Sequence, residues 1–384
     1  MTTMGPQLRS AASAADLAGP RWITAAELAA GAADAPLLDA DAKVHQPLVL
    51  VDLDATDGTA PDEVVNRAVD RARACGRLLV GVALRTPSEA LLSEQRAQLV
   101  HALDLTLVAG HTPPQRPIVG VPDAAADAAA LHAAASANPQ AAIVLGGLLR
   151  ATEMLALTAA LDAESFAYST LLGGSEFRRW LDARGPLAAP PAVPEPVLVE
   201  RVEDSLRLTL NRPQRRNAYG RQLRDALVEA LRLAIVDDSV RTVVLCGAGP
   251  SFCSGGDLAE FGTTPDLTTA HLIRTRAGAA RFLHELADRL EVRVHGSCVG
   301  AGIEMAAFAG RVTADPATVF RLPELQMGLV PGAGGTVSIP RRIGRWRTLY
   351  LALTGRAIDA PTGLSWGLVD RVDGVDQSGQ PANP

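Results

Sequence analysis

The stretch GSCVGAGIEMA, Gly296 to Ala306, sets glycines and small residues in front of a single carboxylate, Glu304, where a helical pattern begins. It follows the apolar alternation of EVRVHGSCVG (291–300) and leads into GIEMAAFAG (302–310). A turn of this kind leaves backbone N–H groups unpaired at the start of a helix, and small residues let a ligand oxygen reach them. A second turn of the same build, GPSFCSGGDLAEF (249–261), follows the short apolar strand RTVVLCGAG (241–249). Two such turns brought together would make an oxyanion hole. Either one alone is equally readable as a phosphate cradle or a tight turn, but neither carries the Gly-Lys-Ser/Thr of a P-loop or a complete GxGxxG.

Working outward, VLVERVEDSLRLTLNRP (197–213) reads as two strands with a turn at Glu203-Asp204, and Leu223, Leu227 and Leu231 recur at helical spacing. Strand, helix and strand continue through RVTADPATVF (311–320), so the second half is α/β with repeated β-β-α units. Ahead of it, ARGPLAAPPAVPEPVLVE holds Pro186, Pro190, Pro191, Pro194 and Pro196, which block a helix and favour an extended linker at 186–196. The first half is also α/β. PLVLVDL, RLLVGVAL, LDLTLVAG and RPIVGVP read as strands, and EVVNRAVDRARACG and the Ala-rich run Asp123 to Ala137 read as helices. From 148 to 185 the pattern is helical, interrupted at Gly173-Gly174, with Leu155, Ala159, Asp162 and Phe166 marking the expected apolar face.

Composition narrows the functional classes. Apolar residues make up 48% of the 384 but aromatics only 4%, so the core rests on Ala, Leu and Val. A net charge of −6 offers no field for nucleic acid. The seven histidines form no HxxxH or HExxH pattern, so no metal site is expected. Cys75, Cys246, Cys253 and Cys298 show no CxxC spacing. With no signal-like or membrane-spanning apolar run, the reading is a cytoplasmic protein.

Five ordered motifs closely resemble the crotonase (enoyl-CoA hydratase/isomerase) superfamily: NRPQRRNAY, FCSGGDL, HGSCVGAGIE, FRLPELQMGLVPGAGGT and LTGRAIDAPTGLSWGLVDRV, over about 197–372. The resemblance implies that a thioester carbonyl of an acyl-CoA sits between the N–H groups of Gly256 and Ala301, with Glu304 activating water and Glu324 managing the proton at C2. It likewise implies substrate or CoA contacts from Arg215, Asn217, Ala218, Ser254, Gly255, Asp257, Leu258, Gly300 and Arg321. From the residues alone, the two glutamates equally suit helix-opening positions, Asp257 suits an N-cap, and Arg215 with Arg216 suits solvated surface. Cys253 and Cys298 suit small packing positions, and PGAGGT suits a turn beside the acyl pocket. Arg321 stands where the family usually has a small residue and would narrow the pocket or pair with a carboxylate. Ala301 replaces a usual glycine.

The family's C-terminal helices, which cover the site and mediate trimer contacts, have no counterpart after GLVDRVDG. AESFAYSTLLGGSEFRRWLDAR (163–184) resembles them, ahead of the catalytic half. The expectation is therefore a crotonase-like spiral at 197–374, preceded by a degenerate, noncatalytic crotonase-like domain at 40–185 with a helical tail at 148–185. An N-terminal extension (1–39) and a tail (375–384) flank them. RLLVGVALRTPSEALL stands where the first half's oxyanion turn would lie, and AIVLGGLLRATEM is at best a remnant of the other. The function implied is hydration of a 2-enoyl-CoA by a homo-oligomer, a trimer or hexamer, with no cofactor beyond the CoA of the substrate. The alternatives are double-bond isomerisation or noncatalytic acyl-CoA binding.

Overall fold

The computed structural model describes residues 19–55, 62–85, 91 and 94–374. The tail 375–384, residues 1–18 of the N-terminal extension, and residues 86–90 and 92 of RLLVGVALRTPSEALL lie outside the described residues.

The first half runs β1 (Arg21–Thr24), α1 (Ala25–Ala29), β2 (Leu48–Asp52), α2 (Asp62–Ala74), β3 (Leu78–Ala83), α3 (Glu94–Ala102), β4 (Leu105–Ala109) and β5 (Ile118–Val121). Its strands form one parallel sheet in the order β1-β2-β3-β4-β5. LVLVD, LLVGVA and LTLVA are almost unbroken apolar runs because both faces of a parallel sheet are covered. The sheet begins ahead of the boundary expected near residue 40. RWIT is too short and too mixed to announce a strand, and its place comes from pairing Arg21–Thr24 with Val49–Asp52.

Four helices follow: α4 (Ala124–Ala137), α5 (Pro139–Thr152), α6 (Leu157–Leu172) and α7 (Ser175–Arg184). Asp123 caps α4 by accepting from the Ala126 amide. Residues 185–196 form no helix or strand, but the segment is pinned: Gln222 accepts from the Val193 amide and donates to the Pro191 carbonyl.

The second half opens on the hairpin β6 (Val197–Val202) and β7 (Ser205–Leu210), with Glu203 at φ 55° in its turn. It continues through α8 (Arg221–Val236), β8 (Thr242–Gly247), α9 (Leu267–Arg276), α10 (Ala280–Glu285), β9 (Leu290–Val294) and β10 (Ser297–Val299). Then come α11 (Ala301–Ala306), β11 (Arg311–Ala314), β12 (Val319–Arg321), α12 (Gly335–Thr354), β13 (Ile358–Asp359), α13 (Ala360–Trp366) and β14 (Arg371–Val372). The chain alternates between a six-stranded sheet, order β14-β11-β9-β8-β7-β6, and a three-stranded one, order β10-β12-β13. This is the β-β-α spiral the sequence predicts.

One apolar core spans both halves. Leu48, Leu50 and Leu105 of the first sheet share it with Leu131, Leu145, Leu349 and the large sheet of the second half. α12 is the wedge between them: Trp346 donates to the Leu103 carbonyl and Tyr350 to Asp127. A break at Gly344 (φ 83°, ψ 157°) divides α12 into two helical pieces.

The face expected for α6 is corrected. Phe166 is 60% exposed and Ala159 is exposed, whereas Ala160, Leu161, Glu164, Ser165, Ser169 and Leu171 are buried. The buried face carries polar residues because it packs on α9 and α12, where Ser165 hydrogen-bonds His271 and Glu164 caps backbone. Among the described residues, no helix is long and apolar enough to cross a membrane.

Candidate active site

The loop after β7 anchors the first glycine turn. Asn217 is fully buried; its Oδ1 accepts from the Arg212 amide, and its Nδ2 donates to the carbonyls of Ala248 and Ser251. Arg216 and Asn217 both sit in the left-handed region, at φ 49° and 54°. Tyr219 then laces the turn, donating its amide to Gly255 O (2.8 Å) and accepting from the Asp257 amide (3.1 Å). Between those two bonds, the Gly256 amide has no acceptor among the described residues. Asp257 is buried between Arg212 (3.2 Å) and Arg215 (2.6 Å) and also caps Ala259. Its expected role as a cap holds, and the two arginines add a clamp that fixes the turn.

The second turn lies beside the first. The Cys253 amide donates to Ser297 O, and the Val299 amide to Cys253 O (2.9 Å), so Cys253 bridges to Cys298 at the edge of the small sheet. The Ala301 amide opens α11 and has no acceptor among the described residues. The glycines around it serve close packing. A Cβ on Gly302 would fall 2.7 Å from Cys253 O, one on Gly296 would fall 2.1 Å from Pro250 O, and one on Gly300 would fall 2.4 Å from Glu324 Oε1. Side chains are thinned here so that the two turns and a carboxylate can meet, which is a tighter reason than ligand approach alone.

Glu304, on the buried α11, uses Oε2 to accept from the amides of Ala333 (2.6 Å) and Gly335 (2.9 Å). Glu324 opens a 3-10 turn after Pro323, and its Oε2 is buried with no hydrogen-bond partner among the described residues. α7 braces that turn from behind: a Cβ on Gly328 (φ 71°) would fall 2.7 Å from the Phe177 amide nitrogen. A third carboxylate, Glu164 of α6, accepts from the amides of Gly334 (2.7 Å) and Thr336 (2.8 Å) and from the Thr336 hydroxyl (2.7 Å). The segment PGAGGT shapes the pocket as expected, and it also supplies the backbone donors for two acids.

Gly256, Ala301 and the three carboxylates Glu304, Glu324 and Glu164 line one cavity of about 220 Å³, together with Tyr168. Apolar lining comes from Leu161, Leu172, Phe261 and Ile273. Arg274 of α9 joins the wall, 4.5 Å over the Tyr168 ring, with its Nε donating to Ser165.

Of the expected substrate contacts, Asp257 reaches this cavity. Arg215, Asn217, Ala218, Ser254, Gly255, Leu258, Gly300 and Arg321 do not line it. Arg215 is committed to Asp257, and Asn217 and the Ala218 carbonyl hold Arg212, so these residues build the turn. Arg321 does not line the pocket and makes no ion pair among the described residues, although its charge pulls the Glu324 carboxyl down. Its guanidinium is drawn away by the Gly355 carbonyl (2.6 Å) and by Gln326 (3.0 Å). Cys253 and Cys298 are fully buried packing residues. Glu164 lies outside the glycine-turn logic. The signal available for it was an acid embedded in the stripe Ala160, Leu161, Glu164, Tyr168, Leu171 at helical spacing.

Burial raises all three carboxyls. It lifts Glu164 to about 7 against the pull of Thr336 and Gly334, and lifts Glu324 to about 7 with help from the Glu164 charge. Glu304 rises well above the ordinary range through burial and then through the charges of Glu324 and Glu164, opposed by the amides of Ala333 and Gly335. Folding therefore raises these affinities for protons above their unfolded values. The stability linked to the protonated forms is full below the ordinary value of 4.5 and is lost as pH rises through about 7. The melting temperature of the ligand-free protein is expected to climb as pH is lowered from about 8 to about 5.5, with a weaker climb in Glu164→Gln. A melting temperature that falls across that window would contradict these shifts.

The enoyl-CoA hydratase/isomerase family profile matches residues 202–381. The chain is similar to 2,3-dehydroadipyl-CoA hydratase of Escherichia coli K12, 36% identical over 176 residues, covering 46% of this chain and 68% of that protein. It is also similar to 1,2-epoxyphenylacetyl-CoA isomerase of the same organism, 35% identical over 170 residues, covering 43% of this chain and 64% of that protein. An enoyl-CoA hydratase of Mycobacterium smegmatis with a solved structure matches with a TM-score of 0.43 and 31% identity, covering 46% of this chain and 69% of that one. The chain belongs to the enoyl-CoA hydratase/isomerase family. It spans roughly two thirds of the length of these curated relatives, 64% and 68%.

Proposed function

We propose that the protein hydrates a 2-enoyl-CoA to a 3-hydroxyacyl-CoA. The observation that carries this reading is that two amides without an internal acceptor, Gly256 and Ala301, open on the same cavity as Glu304 and Glu324. The thioester oxygen accepts from both amides, which act where negative charge develops as the enolate forms. Glu304, with Oε2 fixed by two amides, takes the proton from the attacking water. Glu324, with its unpartnered Oε2, delivers the proton at C2. The chemistry calls for no metal or redox group, and CoA enters as part of the substrate.

On this reading the first half is a noncatalytic, degenerate repeat within a homo-oligomer of cytoplasmic chains. For the repeat, the support is that both large sheets order their strands as the sequence does, and that α6 lines the cavity from the same chain.

Incubation with crotonyl-CoA tests the reaction through the conjugated-enone absorbance, which hydration removes. A gain of that absorbance from a 3-enoyl-CoA, with no loss from crotonyl-CoA, would make the protein an isomerase. Tight binding with no turnover of either would make it a binding protein, and both outcomes overturn the hydration reading.

A further inference from the structure

We infer that Glu164, delivered by α6 of the first half, is a positioning residue for the acid–base pair, setting the place of Glu304 and adding a third negative charge against it. This rests on the reading that Glu304 works on the substrate.

The geometry lies in four successive amides. Ala333 and Gly335 donate to Glu304, while Gly334 and Thr336 donate to Glu164, so the two carboxylates interleave on the N-terminal end of α12. The positive end of that helix favours both anions. The segment is wedged tightly between its two clients: a Cβ on Gly335 would fall 2.5 Å from Glu304 Cγ, and one on Gly332 would fall 2.4 Å from the Tyr168 ring, one turn along α6 from Glu164. A shift of α6 is therefore a shift of the amides that hold Glu304.

The same bonds separate the roles of the three acids. Every hydrogen-bond partner of Glu164 is a donor, and both of its oxygens are held by the protein, Oε1 by the Gly334 amide and Oε2 by the amide and hydroxyl of Thr336. Glu304 Oε1 carries no hydrogen bond among the described residues and Glu324 Oε2 is unpartnered, which leaves the chemistry to them. The charged and titratable groups facing Glu164 are Glu304 on α11, Glu324 on the 3-10 turn, Arg274 on α9 as the counter-charge, and Tyr168 on its own helix.

The test compares Glu164→Gln and Glu164→Asp with the full-length wild type. Gln turns an amide N–H toward a backbone N–H and displaces the segment. Its kcat for crotonyl-CoA hydration is expected to fall by roughly 10- to 100-fold with a smaller change in KM, in line with the effect of a displacement of about 1 Å at a catalytic group. Removing the negative charge is expected to move the acidic limb of kcat/KM to lower pH. Asp, which keeps the charge, is expected to restore that limb even where kcat stays low. An unmoved limb in Glu164→Gln, whatever its kcat or melting temperature, overturns the proposal. An infrared pH titration of the ligand-free protein gives a readout independent of turnover. The protonated-carboxyl band that disappears in Glu304→Gln is expected to titrate at lower pH in Glu164→Gln, and an unchanged midpoint also overturns the inference. A wild type that turns over no enoyl-CoA sinks the hydration reading while leaving this titration to decide the role of Glu164.

Discussion

Glu304→Gln is expected to lower kcat for crotonyl-CoA hydration by about 10²- to 10⁴-fold, the usual contribution of a positioned general acid–base group, with KM changed far less. Gln keeps the shape of the side chain, and its carbonyl oxygen can still accept from Ala333 and Gly335, so the cavity wall stays in place. What is lost is the ability of the other oxygen to take a proton from water, because a carboxamide NH₂ only donates. The folded protein should be no less stable, since replacing a buried carboxyl by a neutral group removes one of three mutually repelling acids. Steady-state rates and thermal melts on the same preparation check both halves of the expectation. A Glu304→Gln enzyme within about fivefold of wild type would remove Glu304 from the chemistry, since general acid–base effects begin near 10².

The contrast between Glu304 and Glu164 shows what could be read from the chain alone. Glu304 and Glu324 were legible because each sits in a local motif, a glycine turn into a helix and a Pro-Glu opening. The long strands of both halves were legible for a similar reason, though β1 was not. Buried parallel strands announce themselves as apolar runs, and β7 after the Glu203-Asp204 turn alternates. Glu164 owes its place to residues 170 and 172 positions away, and no local pattern records that partnership. The misread face of α6 has the same origin. A helix buried against a polar site hides Glu and Ser and leaves Phe166 outside, stacked on His271 at 4.2 Å, which inverts the ordinary rule for an amphipathic helix. Arg215 and Arg321 show the limit from the other side. Their charge suggested a ligand or carboxylate in the pocket, yet each is consumed by the protein's own acceptors, Asp257 in one case and Gly355 and Gln326 in the other.

Ala301→Pro isolates the remaining element, the backbone donor. Ala301 is the first residue of α11, where proline is tolerated because the N–H there has no helical partner, and no acceptor for this amide exists among the described residues. Fold stability should therefore change little. The hydrogen that would meet the thioester oxygen is gone, however, and a ring carbon stands in its place. Loss of one such donor typically costs about 3–4 kcal/mol of transition-state stabilisation, so hydration is expected to fall by roughly 10²- to 10³-fold. Ala301→Gly supplies the control, since it keeps the amide and removes only a methyl group, and its rate should stay within a few-fold of wild type. A proline variant that unfolds would be recognised by its melting curve. If it melts like the wild type and turns over crotonyl-CoA at a similar rate, Ala301 does not hold the developing charge, and Gly256 loses its partner in that role.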